Sequence, residues 1–280
     1  MVKIIVDSTA DMIPELKARV IRVPLTVTFG DKEYIDGVTI DHKRFYEMLI
    51  ESDTLPTTSQ ATPDGFITAI EEVLNEGDEA VIITLSSKLS GTYQSAVIAA
   101  SEYEGRVYAV DSRSVAIGTG ILTELALNAA ENGKSAREIA EMLEKQRERV
   151  RVIALLDTLE YLKRGGRISK TTAFAGGLLS IKPVVELRDG AVEILGKARG
   201  SKQGNNLLIK EIEQSGGVDF SMPLLLGYTG LSDALLQKYI EDSAELWHGN
   251  IEELHTTAVS SVVGTHTGPG VVAAAFFKAQ

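Results

Sequence analysis

Two hydroxyl-rich segments are the candidate binding loops of this sequence. The first, LSSKLSGTYQSA at residues 85–96, begins at the end of an apolar run over 80–85 that predicts a buried strand. The second, PTTSQAT at 56–62, precedes a predicted helix. At the start of a helix, hydroxyl and N–H groups can bind an anion, a serine hydroxyl can attack a substrate, and a hydroxyl can also only cap the helix. The serines and threonines alone leave these roles open.

The first loop has the chemistry of an anion site. If Ser90 ends the loop, the N–H groups of Gly91 and Thr92 are among the donors that lack a partner inside the helix. The helix dipole also favours a negative charge beside them. The segment lacks the glycine and lysine spacing of a nucleotide-binding P-loop and the G-x-S-x-G pattern of an α/β-hydrolase. A plain helix cap at Ser90 is the structural alternative.

The second loop and a histidine far along the chain extend this candidate site. Thr58, Ser59 and their neighbours could line a polar cleft with the first loop, because ligands of parallel sheets bind at the edge where such loops meet. They could also only cap the next helix. His266 lies in VVGTHTGPG at 262–270, where the glycines predict a turn. A histidine in a turn is harder to explain as core packing than one on an apolar helix face.

Charged residues supply further candidates. LKRGGRIS at 162–169 places Arg167 and two other basic residues around a glycine pair. This pattern indicates either a basic helix C-terminus or a surface for docking or phosphate contact. Asp7 and Asp111 each close a predicted strand and precede a serine. We expect them to cap helices, with a place in the cleft as the alternative.

The composition limits the function classes. The chain has 280 residues and a formal net charge of -11, which argues against non-specific nucleic-acid binding. It has no cysteine and only four scattered histidines, so we expect neither disulfides nor a metal site. The apolar run at 271–277 is too short to cross a membrane. The N-terminus reaches the charged Asp7 too early for a signal peptide, so we expect a soluble, cytoplasmic protein.

The order of predicted elements indicates two α/β domains. Strands alternate with helices through residues 1–150, the pattern of a mostly parallel sheet covered by helices on both faces. Within it, residues 20–29 and 33–35 are predicted to pair as a hairpin. The second half, 151–280, contains a predicted hairpin around Asp189 and Gly190 with further strands and helices, which indicates a mixed sheet.

Six segments together resemble one known family. The order and spacing of DegV family motifs match those of VDSTADMIPE, LPTTSQATPDGF, ITLSSKLSGTYQSA, VDSRSVAIGTG, LEYLKRGGRIS and GTHTGPG. The resemblance extends from residue 3 to residue 277. It implies a two-domain α/β protein that binds a long-chain fatty acid such as palmitate at the interface of its domains.

The same resemblance implies roles for particular residues. The carboxylate would contact Thr58 and Ser90, with His266 supporting them. The acyl chain would occupy an apolar tunnel closed by the C-terminal domain. Members of this kind are non-catalytic, fatty-acid-binding subunits of bacterial fatty acid kinase, and they present the carboxylate to a separate ATP-dependent kinase subunit in lipid metabolism. Arg167 would serve that partner or phosphoryl transfer.

Two other functions stay open beside this one. Ser90 with His266 as base and an aspartate such as Asp7 would make a serine hydrolase or acyltransferase. Another small anionic metabolite on the same scaffold is the weaker alternative. We expect no cofactor, no nucleic-acid partner and at most transient membrane contact. The candidate ligand-binding residues are Thr58, Ser59, Ser90, Gly91, Thr92 and His266, with Arg167 as the partner or phosphoryl-transfer candidate.

Overall fold

The computed structural model describes residues 1–168 and 181–279. Its strands are β1 (Val2–Asp7), β2 (Ile21–Val23), β3 (Thr26–Phe29), β4 (Lys32–Ile35), β5 (Thr57–Ser59), β6 (Glu79–Thr84), β7 (Val107–Asp111), β8 (Val150–Leu155), β9 (Ile181–Arg188), β10 (Ala191–Arg199), β11 (Leu225–Tyr228), β12 (Thr256–Ala258) and β13 (Val272–Phe277). Its helices are α1 (Pro14–Lys17), α2 (His42–Glu51), α3 (Pro63–Asn75), α4 (Thr92–Ala100), α5 (Ile117–Glu131), α6 (Ala136–Gln146), α7 (Glu160–Arg164), α8 (Gly200–Gln214), α9 (Ala234–Asp242), α10 (Ala244–Trp247) and α11 (Ser261–Thr267). Among these helices, none combines the length and the apolar character needed to cross a bilayer.

The N-terminal part is built on a four-stranded parallel sheet in the order β2-β1-β6-β7. Its central strands are buried on both faces. Ile4 packs on the side of α5 and α6, whereas Ile5 and Ile82 pack on the side of α3 and α4. Successive side chains of a strand point to opposite faces, so a strand covered on both sides needs a continuous apolar run. The predicted parallel sheet is thereby confirmed.

A three-stranded antiparallel sheet, in the order β4-β3-β5, stands beside the first. The predicted strand over residues 20–29 is divided, because β2 and β3 belong to different sheets. Pro24 lies at the break, where proline has no N–H to continue a ladder. The predicted hairpin around Gly30 and Asp31 is confirmed.

The second candidate loop contains a strand that the sequence does not predict. Residues 57–59 form β5, which pairs with β3 so that Thr58 lies opposite Val27. Backbone pairing therefore fixes the position of Thr58 more firmly than a polar loop would.

The C-terminal part is built on a six-stranded mixed sheet in the order β10-β9-β8-β13-β11-β12. β11 and β12 run parallel, and the other neighbours run antiparallel. The turn between β9 and β10 holds Asp189 and Gly190 at φ of 48° and 80°, the left-handed pair that a two-residue hairpin loop favours. The predicted hairpin and mixed sheet are confirmed.

Helix α5 lies between the two large sheets. It contacts β1 and β6 from one side and β8, β11 and β13 from the other, and every residue from 117 to 123 is buried. Gly120 permits the close approach, because a Cβ there would collide with the carbonyl oxygen of Asp11. One core cluster contains residues from both halves of the chain. The division into two domains near residue 150 therefore stays a prediction.

Candidate functional site

A cavity of about 380 Å³ lies where the two candidate loops meet α11 and the segment after α7. The polar side chains in its wall are those of Thr9, Thr58, Ser59, Gln60, Ser90, Arg167, His266 and Thr267. Its apolar wall includes Leu25, Leu85, Leu89, Leu162, Val262 and Val263. Gly91 also lines it, so of the predicted ligand-binding residues only Thr92 lies outside its described wall.

Thr58 and His266 are bonded to each other in the cavity wall. Oγ1 of Thr58 and Nε2 of His266 are 2.9 Å apart, which joins β5 to the last turn of α11. Which of the two donates depends on the tautomer of the imidazole. Nδ1 of His266 is buried and has no hydrogen-bond partner among the described residues. The ring is therefore oriented through one nitrogen.

His266 lies in a helix, and the prediction of a glycine-rich turn is wrong. Helix α11 packs on α2 and β3. Gly264 lies in its middle, where a Cβ would collide with the hydroxyl of Tyr46. Gly268, at φ of 74°, ends the helix, as glycine commonly does. The glycines of this motif thus serve close helix packing and helix termination.

Ser90 and Thr92 form one polar unit at the N-terminus of α4. Oγ of Ser90 lies 2.9 Å from Oγ1 of Thr92 and accepts a longer bond of 3.3 Å from the Thr92 N–H. Thr92 is fully buried and accepts a bond of 3.3 Å from the N–H of Ala61. Thr92 therefore supports Ser90 from behind the wall and ties the two loops together. With Thr92 as the hydroxyl donor, the O–H of Ser90 is left to donate into the cavity.

Gly91, which is the N-cap residue of α4, allows the two loops to touch. A Cβ at Gly91 would collide with Oε1 of Gln60. The amide of Gln60 is itself held, because its Nε2 donates to Oγ of Ser95 at 3.0 Å. The contact leaves no room for a larger residue at position 91.

Arg167 closes the polar end of the cavity. Its Nε donates to the carbonyl oxygen of Leu89 at 3.1 Å, and its Nη1 donates to that of Gly165 at 2.7 Å. Gly165 lies against the imidazole, since a Cβ there would collide with Nδ1 of His266. The glycine pair of the basic segment thus lets the chain pass close to His266 and turn the guanidinium toward the first loop.

The other basic residues of this segment do not line the cavity. Arg164 forms an exposed ion pair with Glu160 at 2.9 Å, one helical turn away, and Lys163 is absent from the described wall. Ser169, the last residue of the predicted basic segment, lies outside the described residues. Among the described basic residues of this segment, Arg167 is therefore the one that lines the cavity.

The imidazole of His266 is neutral near pH 7. Burial, followed by the positive charge of Arg167, lowers the pKa of His266 from 6.5 to about 4. A neutral imidazole has one donor and one acceptor nitrogen. An anion in the cavity would therefore meet hydroxyls, backbone N–H groups and a guanidinium, but no imidazolium.

Asp7 and Asp111 shape the first loop, and the expectation that they cap helices is wrong. Asp7 is fully buried and accepts bonds from the Leu85 N–H at 2.7 Å and from Thr9. Asp111 accepts bonds from the N–H and the hydroxyl of Ser87. Both carboxylates accept hydrogen bonds from N–H and hydroxyl groups of loops. The helices that follow Asp7 and Asp111 in the chain begin several residues later. Neither lines the cavity.

The geometry gives no support to a serine hydrolase. A nucleophilic serine needs a base within hydrogen-bond reach. Among the described residues, Ser90 bonds to Thr92 and His266 bonds to Thr58, with no bond between Ser90 and His266. Asp7 is engaged by the loops, not by the imidazole. Within residues 1–168 and 181–279, no group of three His, Asp or Glu side chains is placed to hold a metal ion.

A smaller second cavity of about 80 Å³ adjoins the first. The residues that line both are Val115, Leu162, Val192, Val263 and Thr267. The second cavity is otherwise walled mainly by aliphatic side chains, among them Ile117, Val152, Leu156, Val185, Val259 and Val271. Sequence reasoning misses these residues because each is an ordinary core position and they are scattered along the chain. The cavity that holds the polar groups thus shares part of its wall with an apolar one.

Comparisons with known proteins agree with the family resemblance. The model of the DegV family, described as "Uncharacterised protein, DegV family", matches residues 1–279. A DegV domain-containing protein of Caldanaerobacter subterraneus is 34% identical over 282 residues, covering 99% of this chain and 98% of the relative.

Solved structures show the same fold. A DegV family protein of Thermus thermophilus, described as binding fatty acid, has a TM-score of 0.89 at 32% identity, over 99% of both chains. The fatty acid kinase B3 protein of Streptococcus pneumoniae, loaded with linoleic acid, has a TM-score of 0.86 at 22% identity, over 100% of both chains. At that identity the second likeness concerns the fold alone. The family match and the 34% identical relative both extend over nearly the whole sequence, and the chain belongs to the DegV family.

Proposed function

We propose that this protein binds a long-chain fatty acid, with the carboxylate at the polar end of the first cavity and the acyl chain in the apolar space beyond it. The observation that carries the proposal is the change of character along adjoining cavities. Hydroxyl, N–H and guanidinium groups gather at one end, and aliphatic side chains form the other. A fatty acid has the same division. The Thermus thermophilus relative, described as fatty-acid-binding, supports the assignment.

In this proposal, the head group is held by neutral donors and one cation. The Ser90 hydroxyl and the Gly91 N–H face the carboxylate from the N-terminus of α4, where the helix dipole favours an anion. Thr58 donates as well if Nε2 of His266 carries the imidazole proton. That tautomer suits the site, because Nδ1 is packed against Gly165 with no acceptor among the described residues. His266 then acts by orienting the Thr58 hydroxyl.

The two ends of the ligand contribute differently to binding. A hydrogen bond to a charged group contributes about 1.5–3 kcal/mol, whereas each buried methylene contributes about 0.8 kcal/mol. A chain of a dozen or more methylenes therefore supplies most of the affinity. The polar groups fix the orientation of the carboxylate.

Mass analysis of the lipid carried by the purified protein tests the proposal most directly. We expect native mass spectrometry to show a bound fatty acid that is lost on denaturation, and the stripped protein to rebind palmitate or oleate. A protein that emerges empty and binds no added fatty acid would contradict the assignment. Binding of a water-soluble anion in preference to fatty acids would favour the metabolite alternative.

We also propose that the protein presents the bound carboxylate to a separate ATP-dependent kinase subunit and does not turn it over alone. The name of the Streptococcus pneumoniae neighbour suggests this role, and among the described residues no hydrogen bond joins Ser90 to His266. The carboxylate oxygen would take the γ-phosphoryl group of ATP, with ADP leaving. Since this reaction uses ATP, the two subunits would meet in the cytoplasm. Arg167, at the polar end, is the candidate contact for the partner or the phosphoryl group.

The kinase role is tested by trapping the acyl phosphate with hydroxylamine. Loaded protein and ATP should yield no acyl hydroxamate, and addition of an ATP-dependent fatty acid kinase subunit from the same organism should yield it. Arg167→Ala should lower the yield more than it lowers fatty-acid affinity. Hydroxamate formation by the protein and ATP alone would overturn the non-catalytic role.

A further inference from the structure

We propose that Val115 and Val192 divide the ligand space into a proximal and a distal compartment and thereby set the acyl-chain length that binds best. The inference rests on the proposed fatty-acid function. The proximal compartment is the cavity of about 380 Å³ that holds the polar groups. The distal compartment is the apolar cavity of about 80 Å³.

The two valines belong to the wall that the compartments share, here called the passage, together with Leu162, Val263 and Thr267. Both line the first and the second cavity, and one comes from the N-terminal half of the chain and the other from the C-terminal half. Val115 lies just before α5, and Val192 lies on β10 of the six-stranded sheet. Because each of the two residues lines both spaces, added bulk at either position should hinder a methylene chain from continuing from one space to the other.

Ser86 fixes both sides of this passage. Its N–H donates to the carbonyl oxygen of Ser114 at 2.7 Å, and its Oγ donates to that of Gly190, also at 2.7 Å. Ser114 directly precedes Val115, and Gly190 lies two residues before Val192. Ser86 is fully buried within the first candidate loop. The loop proposed to hold the head group therefore also sets the distance between the two valines.

The backbone next to Val115 is strained. Ala116 has φ of 54° and ψ of −127°, a conformation disfavoured for any residue with a Cβ. Its carbonyl oxygen accepts bonds from the N–H groups of Asp11 and Gly120 at 3.2 and 3.0 Å. Strain that surrounding bonds enforce indicates that the position of the segment matters. The adjacent side chain that reaches the passage is Val115.

The distal compartment has a charged boundary. Glu186 is 4% exposed and lines this space, and its carboxylate pairs with Arg188 at 2.8 Å and with Arg151 at 3.4 Å. A methyl end that advanced further would reach the buried carboxylate of Glu186 and disturb its ion pairs without replacing their hydrogen bonds. The valines thus control entry to the distal compartment, and Glu186 limits how far the chain can extend.

The test compares dissociation constants for saturated fatty acids from decanoate to arachidate. Each methylene that enters an apolar compartment should raise the affinity roughly fourfold, and the gain should stop at the length that fills the distal space. In Val115→Phe the gain should stop at a shorter chain, with the affinities of the longest acids lowered more than those of the shortest. Val192→Phe should act in the same way from the opposite wall, which covers the case in which Val115→Phe does not fold.

Val73→Ala serves as the matched control, because Val73 is buried in the N-terminal core and lines neither cavity. It should lower stability without moving the length at which the gain stops. The inference is overturned if neither phenylalanine variant moves that length, or if both weaken every chain length equally. If the affinity of the wild type for fatty acids shows no chain length at which the gain stops, this inference is overturned and the proposed function is not. Absence of fatty-acid binding at every length overturns the proposed function together with it.

Discussion

Thr58 and His266 share a hydrogen bond of 2.9 Å although 208 positions separate them in the chain. Thr58 belongs to the small antiparallel sheet near the start. His266 belongs to α11, which follows β12 of the six-stranded sheet and packs back onto α2. The polar end of the cavity therefore depends on the correct docking of distant parts of the chain.

Replacement of Ser90 by alanine should weaken fatty-acid binding roughly ten- to a hundredfold, because a hydrogen bond to a charged group contributes about 1.5–3 kcal/mol. The melting temperature should change little, since Ser90 is only partly buried. Titration of stripped protein with palmitate measures the affinity. Ser87→Ala is the matched control, since the Ser87 hydroxyl bonds Asp111 outside the cavity wall. Equal affinities of Ser90→Ala and wild type would remove Ser90 from the site.

Replacement of His266 by glutamine should flatten part of the pH dependence of stability. The unfolded chain takes up a proton at this histidine near pH 6.5, whereas the folded protein does so only near pH 4. Between those values the unfolded state binds more protons, so the free energy of unfolding falls as the pH falls, by up to about 1.4 kcal/mol per pH unit. Urea unfolding of ligand-free protein across this range measures the slope.

The exposed His248 provides the control for that experiment. His248→Gln should leave the slope of the free energy of unfolding against pH as in the wild type. An unchanged slope in His266→Gln would mean that His266 titrates normally in the folded protein.

Replacement of Asp11 by asparagine should stabilise the protein in mild alkali. Burial raises the pKa of Asp11 to about 7, so between about pH 4 and pH 7 the folded state binds more protons at this group than the unfolded state. Stability from this group is therefore lost as the pH rises through that range. Asparagine keeps an oxygen for the Ser260 N–H, which Asp11 now binds at 3.1 Å, and carries no charge to desolvate.

Thermal melts near pH 8 and near pH 4 check this expectation. The gain of Asp11→Asn over wild type should be largest near pH 8 and should shrink toward pH 4. Asp31→Asn, in the exposed hairpin turn, should show no such trend. A variant that is less stable than wild type near pH 8 would show that the charged carboxylate is worth more than its burial costs.

Replacement of Gly264 by alanine should lower both stability and ligand affinity. The added methyl group would collide with the Tyr46 hydroxyl, and overpacking of this kind costs about 1–3 kcal/mol. Helix α11 would have to move away from α2 and carry His266 with it. Gly196→Ala is the control, because its methyl group would meet only the end of Leu207 at 3.0 Å. Full affinity in Gly264→Ala would show that the site tolerates a displaced helix.

Much of the fold follows from local patterns. The apolar runs of β1 and β6 indicate strands covered on both faces, and Asp189 with Gly190 supplies the backbone conformation of a tight hairpin. The hydroxyl loops could also be found, because Ser90 and Gly91 follow a buried strand at the start of a helix. These signals arise from residues that are neighbours in sequence.

The positions that sequence reasoning misses depend on tertiary contacts. The glycines around His266 favour a turn locally, but packing of Gly264 against Tyr46 stabilises a helix. Asp7 and Asp111 look like helix caps in the sequence, yet each accepts hydrogen bonds from the loop after the neighbouring strand β6 and from the residue two positions later in its own loop. Nothing in the sequence sets Val115 and Val192 apart from other valines, and their place in the shared cavity wall is visible only in the structure.

The placement of α11 has a consequence for synthesis on the ribosome. The helix is made after β5, α4 and the segment after α7, which form the rest of the polar wall. A nascent chain therefore has an incomplete carboxylate site until residue 266 has left the exit tunnel. In the proposed function, capture of the first fatty acid would then come only after most of the protein has already been translated.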